Sequence, residues 1–228
     1  IETLARVNVL GVDKTGTITE NTMEVNGEIP MDGYDSQSMA PLKQIISDFA
    51  SAMSSDNITM KAMKDYFNKP SGRKAVSVSP FSSQFKYSGA AFEDVSYVLG
   101  APEFVLREDY DNYREQIEQY SSEGYRVLVF GIYDGVIDGK ALTGKVTPIG
   151  LVFLSNPIRK EAPETFKYFE NQGVEIKVIS GDNPVTVSQV ALQAGIANAD
   201  NYIDASTLTT DEAIEDAVLR YTVFGRVT

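Results

Sequence analysis

The fold of this chain is decided by one strand-like run and the polar turn behind it, Val7-Asn8-Val9-Leu10-Gly11-Val12-Asp13-Lys14-Thr15-Gly16-Thr17-Ile18-Thr19. The run to Val12 predicts a buried strand, because aliphatic and β-branched side chains favour the packed surface of a sheet. The strand stops at Asp13. The glycine, lysine and hydroxyl side chains that follow are residue types that can surround an anion. The stretch therefore predicts a carboxylate at a strand tip beside an anion-binding turn.

The second half of the chain alternates strands with helices. Strands are predicted over residues 149–154, 174–179, 202–203 and 221–227. Helices are predicted over 160–172, over 184–194 with Asn183 as N-cap, and from a capping box at Thr209 and Glu212 to residue 220. Strands that alternate with helices of this length predict a parallel, doubly wound α/β sheet.

The middle of the chain has a different pattern. Helices are predicted over 45–53, 58–67 and 110–122, and strands over 76–78, 89–92, 95–99, 127–133 and 142–147. We expect residues 25–148 to form an α+β domain that is inserted into a discontinuous domain of residues 1–24 and 149–228. The insertion would follow the first strand of the parallel sheet.

The amino-acid composition limits which catalytic and metal-binding groups this chain can offer. The 228 residues contain 20 Lys+Arg and 32 Asp+Glu, for a net charge of −12, and they contain no His, Cys or Trp. These counts exclude a Ser-His-Asp triad, a Cys nucleophile, a disulfide and the usual nitrogen and sulfur zinc site. A metal would be a hard cation held by oxygen, and a nucleophile would be a carboxylate, hydroxyl or lysine. The negative balance argues against duplex nucleic acid as a partner.

The chain has no sequence signature of a membrane span or a signal peptide. No apolar run approaches the roughly 18–20 residues that cross a bilayer. The first residues are short, mixed in character and do not begin with Met. The missing Met predicts a fragment or a processed chain.

Polar residues follow two strands of the predicted parallel sheet. Asp13 ends the first, and Ser180, Gly181 and Asp182 follow a later one. Ligands of open parallel sheets bind beyond the carboxyl ends of the strands. Because two carboxylates and a phosphate would repel one another, a site built from them needs a cation such as Mg²⁺.

Residues 13–19 resemble the phosphorylation motif of P-type cation-transporting ATPases, Asp-Lys-Thr-Gly-Thr-Leu/Ile-Thr, at every position. Four further segments follow in the family's order: Gly100-Ala101-Pro102-Glu103, Gly124-x-Arg126-Val127-Leu128, Asn156-Pro157-Ile158-Arg159 and Ser180-Gly181-Asp182-Asn183. They resemble two segments of the family's nucleotide-binding domain, its Asp-Pro-x-Arg hinge and its Thr-Gly-Asp-Asn loop. The likeness covers essentially the whole chain.

The resemblance implies a Rossmann-like phosphorylation domain of the haloacid dehalogenase superfamily, incomplete at its C-terminus, with an inserted nucleotide-binding domain. Asp13 would be the nucleophile that takes the γ-phosphoryl group of ATP. The Asp13 carboxylate and the Thr15 carbonyl would hold Mg²⁺. Lys14 and the Thr15 hydroxyl would face the phosphate.

Further roles follow from the matched positions. Ser180 and Gly181 would bind the γ-phosphate, Asp182 would arrange nucleotide and Mg²⁺, and Arg159 would lie at the hinge near the phosphates. Within the inserted domain, the expected nucleotide-binding residues are Phe81, Lys86, Gly100 and Arg126. Phe81 would stack on adenine, and Arg126 would pair with the polyphosphate.

Each of these residues also has a plain structural interpretation. Phe81 could be a core aromatic, and Lys86 and Arg126 could be surface charges. Arg159 could begin a helix or pair with Glu161 or Glu164.

Several positions depart from the family pattern. Leu99 stands where the segment before Gly100 usually has Lys, Met60 stands about where an acidic residue is expected, and Asn156 replaces the hinge Asp. The family's later Lys and its Gly-Asp-Gly-x-Asn-Asp motif, which completes the Mg²⁺ site, would lie beyond residue 228.

The function expected from the resemblance is the ATP-binding and aspartyl-phosphorylation region of a membrane pump, facing the cytoplasm. Its partners would be ATP, the transmembrane and actuator domains of the parent chain, and the transported cation. The absence of His argues against the heavy-metal branch, which carries a His-Pro pair, so Ca²⁺ or another non-heavy-metal cation is expected.

Two other functions remain open from the sequence. One is a Mg²⁺-dependent phosphatase of the haloacid dehalogenase type. Such phosphatases carry Asp-x-Asp, whose second Asp is a general acid and base, whereas Thr15 stands at that position here. The other is a non-catalytic nucleotide-binding module, which would have no need of the intact Asp13-Lys14-Thr15.

Overall fold

The computed structural model describes residues 6–228. In chain order, the strands are β1 (Val9–Asp13), β2 (Glu24–Pro30), β3 (Ser77–Ser79), β4 (Tyr87–Ala91), β5 (Ser96–Gly100), β6 (Arg126–Asp134), β7 (Lys145–Ser155), β8 (Glu175–Ile179), β9 (Tyr202–Asp204) and β10 (Val223–Gly225). The helices are α1 (Leu42–Ala52), α2 (Ile58–Tyr66), α3 (Pro102–Leu106), α4 (Tyr110–Ser122), α5 (Ala162–Asn171), α6 (Pro184–Gln193) and α7 (Asp211–Arg220).

The chain divides into two units. The first contains the chain up to Thr22, the short piece Ser121–Tyr125 and the C-terminal part Asn156–Thr228. The second contains Met23–Tyr120 and Arg126–Ser155. The predicted α/β class is confirmed, because one unit carries a parallel sheet and the other an antiparallel sheet.

The first unit is built on a parallel sheet of four strands in the order β1-β8-β10-β9. Its core contains Val12 of β1, Val178 of β8 and Val223 of β10, which pack with Phe166 of α5 and Val187 of α6. Helix α6 begins as the sequence predicts: the Asn183 side chain accepts a hydrogen bond from the backbone N–H of Val185 at 2.9 Å. The parallel pairing of β1 with β8 places the carboxyl ends of these two strands side by side.

The second unit is an antiparallel sheet of six strands in the order β2-β7-β6-β5-β4-β3. Alternate residues face opposite sides of the sheet. Leu99 and Phe130 lie in the core with α1, where the rings of Phe49 and Phe130 meet edge to face with centroids 5.2 Å apart. Phe153 packs on the Tyr120 ring of α4, with centroids 4.1 Å apart.

The strand predicted over residues 149–154 exists but belongs to a different sheet. It is the second half of β7, which pairs antiparallel with β2 and β6. The expected boundary between residues 148 and 149 was therefore wrong, and the second unit continues to Ser155. A continuous apolar run is equally compatible with a parallel strand and with the centre of an antiparallel sheet, so hydrophobic pattern alone did not distinguish them.

Two smaller corrections concern local structure. The N-cap of α7 is Thr210, whose hydroxyl accepts a hydrogen bond from the N–H of Ala213 at 3.1 Å, and not Thr209. The reciprocal contact expected from Glu212 therefore does not form a capping box. Strand β2 and helix α3 were not predicted, since β2 contains Gly27 and ends at Pro30.

No helix among residues 6–228 is both long enough and apolar enough to cross a membrane.

The corrected cap yields a stability prediction. Thr210→Ala should lower the free energy of unfolding by about 1 kcal/mol, because the N–H of Ala213 loses its acceptor. Thr209→Ala, one residue earlier, should change it by less than about 0.5 kcal/mol. Urea unfolding of both variants would measure the difference, and equal losses would contradict the assignment of the cap.

Candidate functional site

The parallel sheet brings the two predicted polar segments together. Asp13 is the last residue of β1 and lies in register with Ile179, the last residue of β8, so Ser180 follows directly beside it. The Asp13 side chain is exposed, and no ion pair found among residues 6–228 involves it. The strand tip therefore presents an accessible, uncompensated carboxylate.

The turn after Asp13 is held closed by its own hydrogen bonds. The N–H and the hydroxyl of buried Thr19 donate to the Lys14 carbonyl at 3.1 Å and 3.3 Å. Gly16 has φ +82°, and a Cβ at this position would lie 3.0 Å from the Asn21 Oδ1. The backbone conformation therefore favours a glycine, and a Cβ would also crowd the Asn21 side chain. Thr15 and Thr17 remain exposed on this turn.

Lys14 points into the protein and not into solvent. The residue is only 3% exposed, and its Nζ lies 2.6 Å from the Asp182 Oδ2 and 3.3 Å from the Asn156 Oδ1. A buried ammonium needs such partners, since removing a charge from water is costly. Lys14 is thus engaged by protein groups, and its expected contact with a phosphate stays a prediction.

The segment after β8 is held from both sides by the C-terminal residues. The buried Ser180 donates its N–H to the Phe224 carbonyl at 2.9 Å, and its hydroxyl accepts from the N–H of Asp182 at 3.2 Å. The N–H of Arg226 donates to the Asp182 carbonyl at 2.8 Å. Helix α6 starts immediately afterwards, so its positive N-terminal end lies at this edge.

Arg159 lies against the turn. Its Nη2 donates to the Gly16 carbonyl at 2.9 Å, and its backbone N–H donates to the Ile18 carbonyl at 3.0 Å. Its Nη1 lies 3.8 Å from Glu161 and 3.9 Å from Glu20. The alternative that Arg159 pairs with Glu161 is thus observed, and its guanidinium also supports the loop behind Asp13.

The sequence analysis did not single out Arg226 and Asp204 as residues of this sheet edge. These two side chains form an ion pair at the carboxyl ends of β10 and β9. Hydrogen bonds from the Ser206 side chain, the Arg226 guanidinium and the Ser206 N–H lower the pKa of Asp204, although partial burial opposes them. A sequence signal existed, because Asp204 directly follows the predicted strand 202–203 and Arg226 lies near the end of the predicted strand 221–227.

A second group of predicted residues gathers in the second unit. The antiparallel register places the end of β3, the start of β4, the end of β5 and the start of β6 at one end of the sheet. Lys86, Gly100 and Arg126 lie there. Gly100 is required for close packing, since a Cβ would lie 2.4 Å from the Lys86 carbonyl. The N–H of Ala101 donates to that same carbonyl at 3.0 Å.

Phe81 follows β3 at this end of the sheet and is 45% exposed, so it is not a core aromatic. Arg126 contacts α2, where its Nη1 lies 3.4 Å from the Thr59 hydroxyl. Two of the three departures from the family pattern, Leu99 and Met60, are consistent with packing. Leu99 and Met60 are both buried in the core of this unit, where a charged side chain would be costly.

The residues at the parallel-sheet edge fit only part of a Mg²⁺ site. Among residues 6–228, no group of three or more acidic side chains is arranged to hold a metal. Asp182 is engaged by Lys14, which leaves the Asp13 carboxylate and the Thr15 carbonyl. Mg²⁺ usually keeps several waters and takes one or two carboxylates together with substrate phosphates. This donor set therefore suits a Mg²⁺ that arrives with a phosphate ligand.

Comparison with known proteins agrees with the sequence motifs. The model of the haloacid dehalogenase-like hydrolase family matches residues 7–219. The chain is 38% identical over its whole length to the calcium-transporting ATPase CtpE of Mycobacterium tuberculosis. It is 36% identical to the probable cation-transporting ATPase exp7 of Streptococcus pneumoniae. The expected resemblance to P-type cation-transporting ATPases is thereby confirmed.

The similarity to these relatives concerns only a part of them. The chain spans 28% of the length of the CtpE protein and 29% of the exp7 protein. A crystal structure of a zinc-transporting PIB-type ATPase in the E2.Pi state shares the fold, with a TM-score of 0.55 and 19% identity over 86% of this chain and 29% of that one.

The ion pair of Lys14 yields a second stability prediction. Asp182→Ala should lower the free energy of unfolding of the first unit by about 2 kcal/mol, because it leaves a buried ammonium without its carboxylate. Asp216→Ala removes an exposed pair with Arg220 and should cost less than about 0.5 kcal/mol. Equal losses of unfolding free energy in urea would show that the Lys14–Asp182 pair stabilises the unit no more than an exposed ion pair does.

Proposed function

Because the chain belongs to the haloacid dehalogenase-like hydrolase family, we propose that it is the ATP-binding and aspartyl-phosphorylation region of a P-type ATPase. The observation that carries this proposal is the exposed Asp13 carboxylate at the tip of β1, beside the Ser180–Asp182 segment. The first unit would be the phosphorylation domain and the second unit the nucleotide-binding domain.

The proposed reaction is a phosphoryl transfer to Asp13. A carboxylate oxygen of Asp13 attacks the γ-phosphorus of ATP in line with the bond to the β,γ-bridging oxygen. The new P–O bond gives an aspartyl-phosphate while the bond to ADP breaks, and ADP leaves with the bonding electrons. Such a transfer depends on alignment and charge neutralisation and needs no proton shuttle, so a site without His is adequate.

Three groups of this chain would surround the phosphoryl group during transfer. The Thr15 hydroxyl, the Ser180 hydroxyl and the backbone at Gly181 lie at the same sheet edge as the nucleophile. Mg²⁺ held by the Asp13 carboxylate and the Thr15 carbonyl would neutralise phosphate charge when it binds together with ATP. Asp182 would act through Lys14, with which it pairs at 2.6 Å.

Thr15 would set the lifetime of the phosphoenzyme. In phosphatases of the superfamily the residue two positions after the nucleophile is an Asp that activates water. A threonine at that position has no basic group at neutral pH, so hydrolysis of the aspartyl-phosphate should be slow. A persistent phosphoenzyme suits a transport cycle better than a phosphatase.

Nucleotide would bind in the second unit at the sheet end that carries Lys86, Gly100 and Arg126. The exposed ring of Phe81 would stack on adenine, and the cationic side chains would meet the polyphosphate. Buried Leu99 and Met60 would contribute no charge to that site. Binding by this chain should accordingly be weak.

The parent protein would be a pump in a cell membrane, with this region on the cytoplasmic side. The transmembrane and actuator domains of the same polypeptide would be its partners, and the transported cation would bind outside this region. The names of the CtpE relatives favour Ca²⁺ among the non-heavy-metal cations.

Phosphorylation of Asp13 gives the decisive prediction. The full-length protein, incubated with [γ-³²P]ATP and Mg²⁺, should form an acid-stable, hydroxylamine-sensitive phosphoenzyme. Asp13→Asn should abolish the label, because an amide oxygen is not a competent nucleophile. Asp200→Asn, an exposed carboxylate in the same unit, should leave it unchanged. If the label persisted in Asp13→Asn, the assignment of Asp13 as the phosphorylated residue would be wrong.

The nucleotide site can be tested on the 228-residue chain itself. Titration with millimolar ATP should shift the backbone amide NMR signals near Phe81, Gly100 and Arg126. Phe81→Ala should raise the dissociation constant for ATP about 10-fold, since stacking of the adenine base on an aromatic ring is lost. Phe104→Ala is the matched control, because Phe104 is 44% exposed in the same unit. Equal effects of both substitutions would argue against a stacking role for Phe81.

A further inference from the structure

Asn156 makes two hydrogen bonds of opposite sense at the phosphorylation edge. Its Oδ1 lies 3.3 Å from the Lys14 Nζ and accepts a hydrogen bond from it. Its Nδ2 donates to the Thr22 carbonyl at 2.8 Å. Lys14 can only donate and a carbonyl can only accept, so chemistry allows a single orientation of this amide.

We propose that Asn156 is a positioning residue of the phosphorylation site, which holds the Lys14 ammonium on Asp182 and away from the nucleophile Asp13. This inference rests on the proposed function. It gives the asparagine that replaces the usual hinge aspartate a role of its own.

The argument starts from the competition for Lys14. Lys14 is the neighbour of Asp13 in sequence, and its ammonium is the nearest cation along the chain to the nucleophile. An ammonium paired with Asp13 would draw electron density from the attacking oxygen and would have to be displaced before transfer. In the structure the ammonium is instead held by two acceptors, the Asp182 carboxylate and the Asn156 amide. Both acceptors lie on segments distant in sequence, so tertiary folding and not local geometry determines the choice.

The second hydrogen bond anchors the Asn156 amide to two segments that pair with each other, the one that follows β1 and the one that follows β7. Thr19 and Ile158 form an antiparallel bridge, and the N–H of Glu20 donates to the Pro157 carbonyl at 2.8 Å. The hydrogen bond from Asn156 to the Thr22 carbonyl extends this pairing to Thr22, where the N-terminal segment of the first unit ends. The orientation of the Asn156 amide is therefore set by a contact that does not involve Lys14.

The test compares three variants of the full-length protein by the rate of phosphoenzyme formation at saturating ATP. Asn156→Ala removes the acceptor for Lys14 and should slow phosphorylation about 10-fold, the usual effect of losing one hydrogen bond to a charged group. Asn156→Asp loses the donor to Thr22 but keeps an acceptor for Lys14, whose ammonium balances the added negative charge, so it should restore the rate to within about 3-fold of wild type. Asn26→Ala is the matched control. Like Asn156, Asn26 accepts a hydrogen bond through its side-chain amide, from the Ser155 hydroxyl at 2.8 Å, but it lies in the second unit.

The ATP concentration that gives half the maximal rate should be unchanged in all three variants, because none of them alters the predicted nucleotide residues. Equal slowing by Asn156→Ala and Asn156→Asp would overturn the proposal, since the bond to Thr22 would then be the one that matters. An unchanged rate in Asn156→Ala would overturn it as well.

A measurement independent of phosphorylation keeps the inference separate from the proposed function. In the 228-residue chain, the ¹⁵N signal of the Lys14 ammonium should be visible by NMR through slow hydrogen exchange. It should broaden in Asn156→Ala and persist in Asn156→Asp. If wild-type protein formed no phosphoenzyme, the proposed function and this catalytic role would both fail. The ammonium signal would still report whether Asn156 holds Lys14.

Discussion

The arrangement around the candidate site depends on one buried ammonium. Lys14 follows Asp13 at the end of β1 and would cost several kcal/mol to bury alone. Asp182, from the segment after β8, compensates it at 2.6 Å. This contact ties the first turn of the chain to a segment more than a hundred residues away, and it draws in Asn156 from a third segment. The cation thus joins three loops at the sheet edge and leaves the Asp13 carboxylate exposed.

The two units divide the proposed work according to their architecture. A parallel sheet collects the carboxyl ends of its strands at one edge, where short turns and a helix N-terminus can hold an anion. An antiparallel sheet has the starts and finishes of neighbouring strands at one end, and here that end carries Lys86, Gly100 and Arg126. Each unit has its own apolar core, so each can hold its group of residues in place by itself.

Much of this could be predicted from local patterns. Helix α4 has the predicted bounds, and Asn183 caps α6 as expected, because caps and helical periodicity depend on neighbouring residues. The sheet that holds residues 149–154 could not be predicted, since an apolar run carries no information about its partner strand. The bond from Arg159 to the Gly16 carbonyl and the partners of Lys14 could not be predicted either, because a side chain's distant partners depend on which segments folding brings alongside it.

The sequence by itself determined the chemistry. Without His or Cys, and with Asp13 ahead of a glycine-containing turn, it left a carboxylate nucleophile and an oxygen-held cation, because residue type alone limits which groups can react. Only the tertiary structure decided how that chemistry is arranged. It paired Lys14 with Asp182 and Asn156 and left Asp13 free, since the choice among acceptors depends on distances of a few ångströms between segments far apart in the chain.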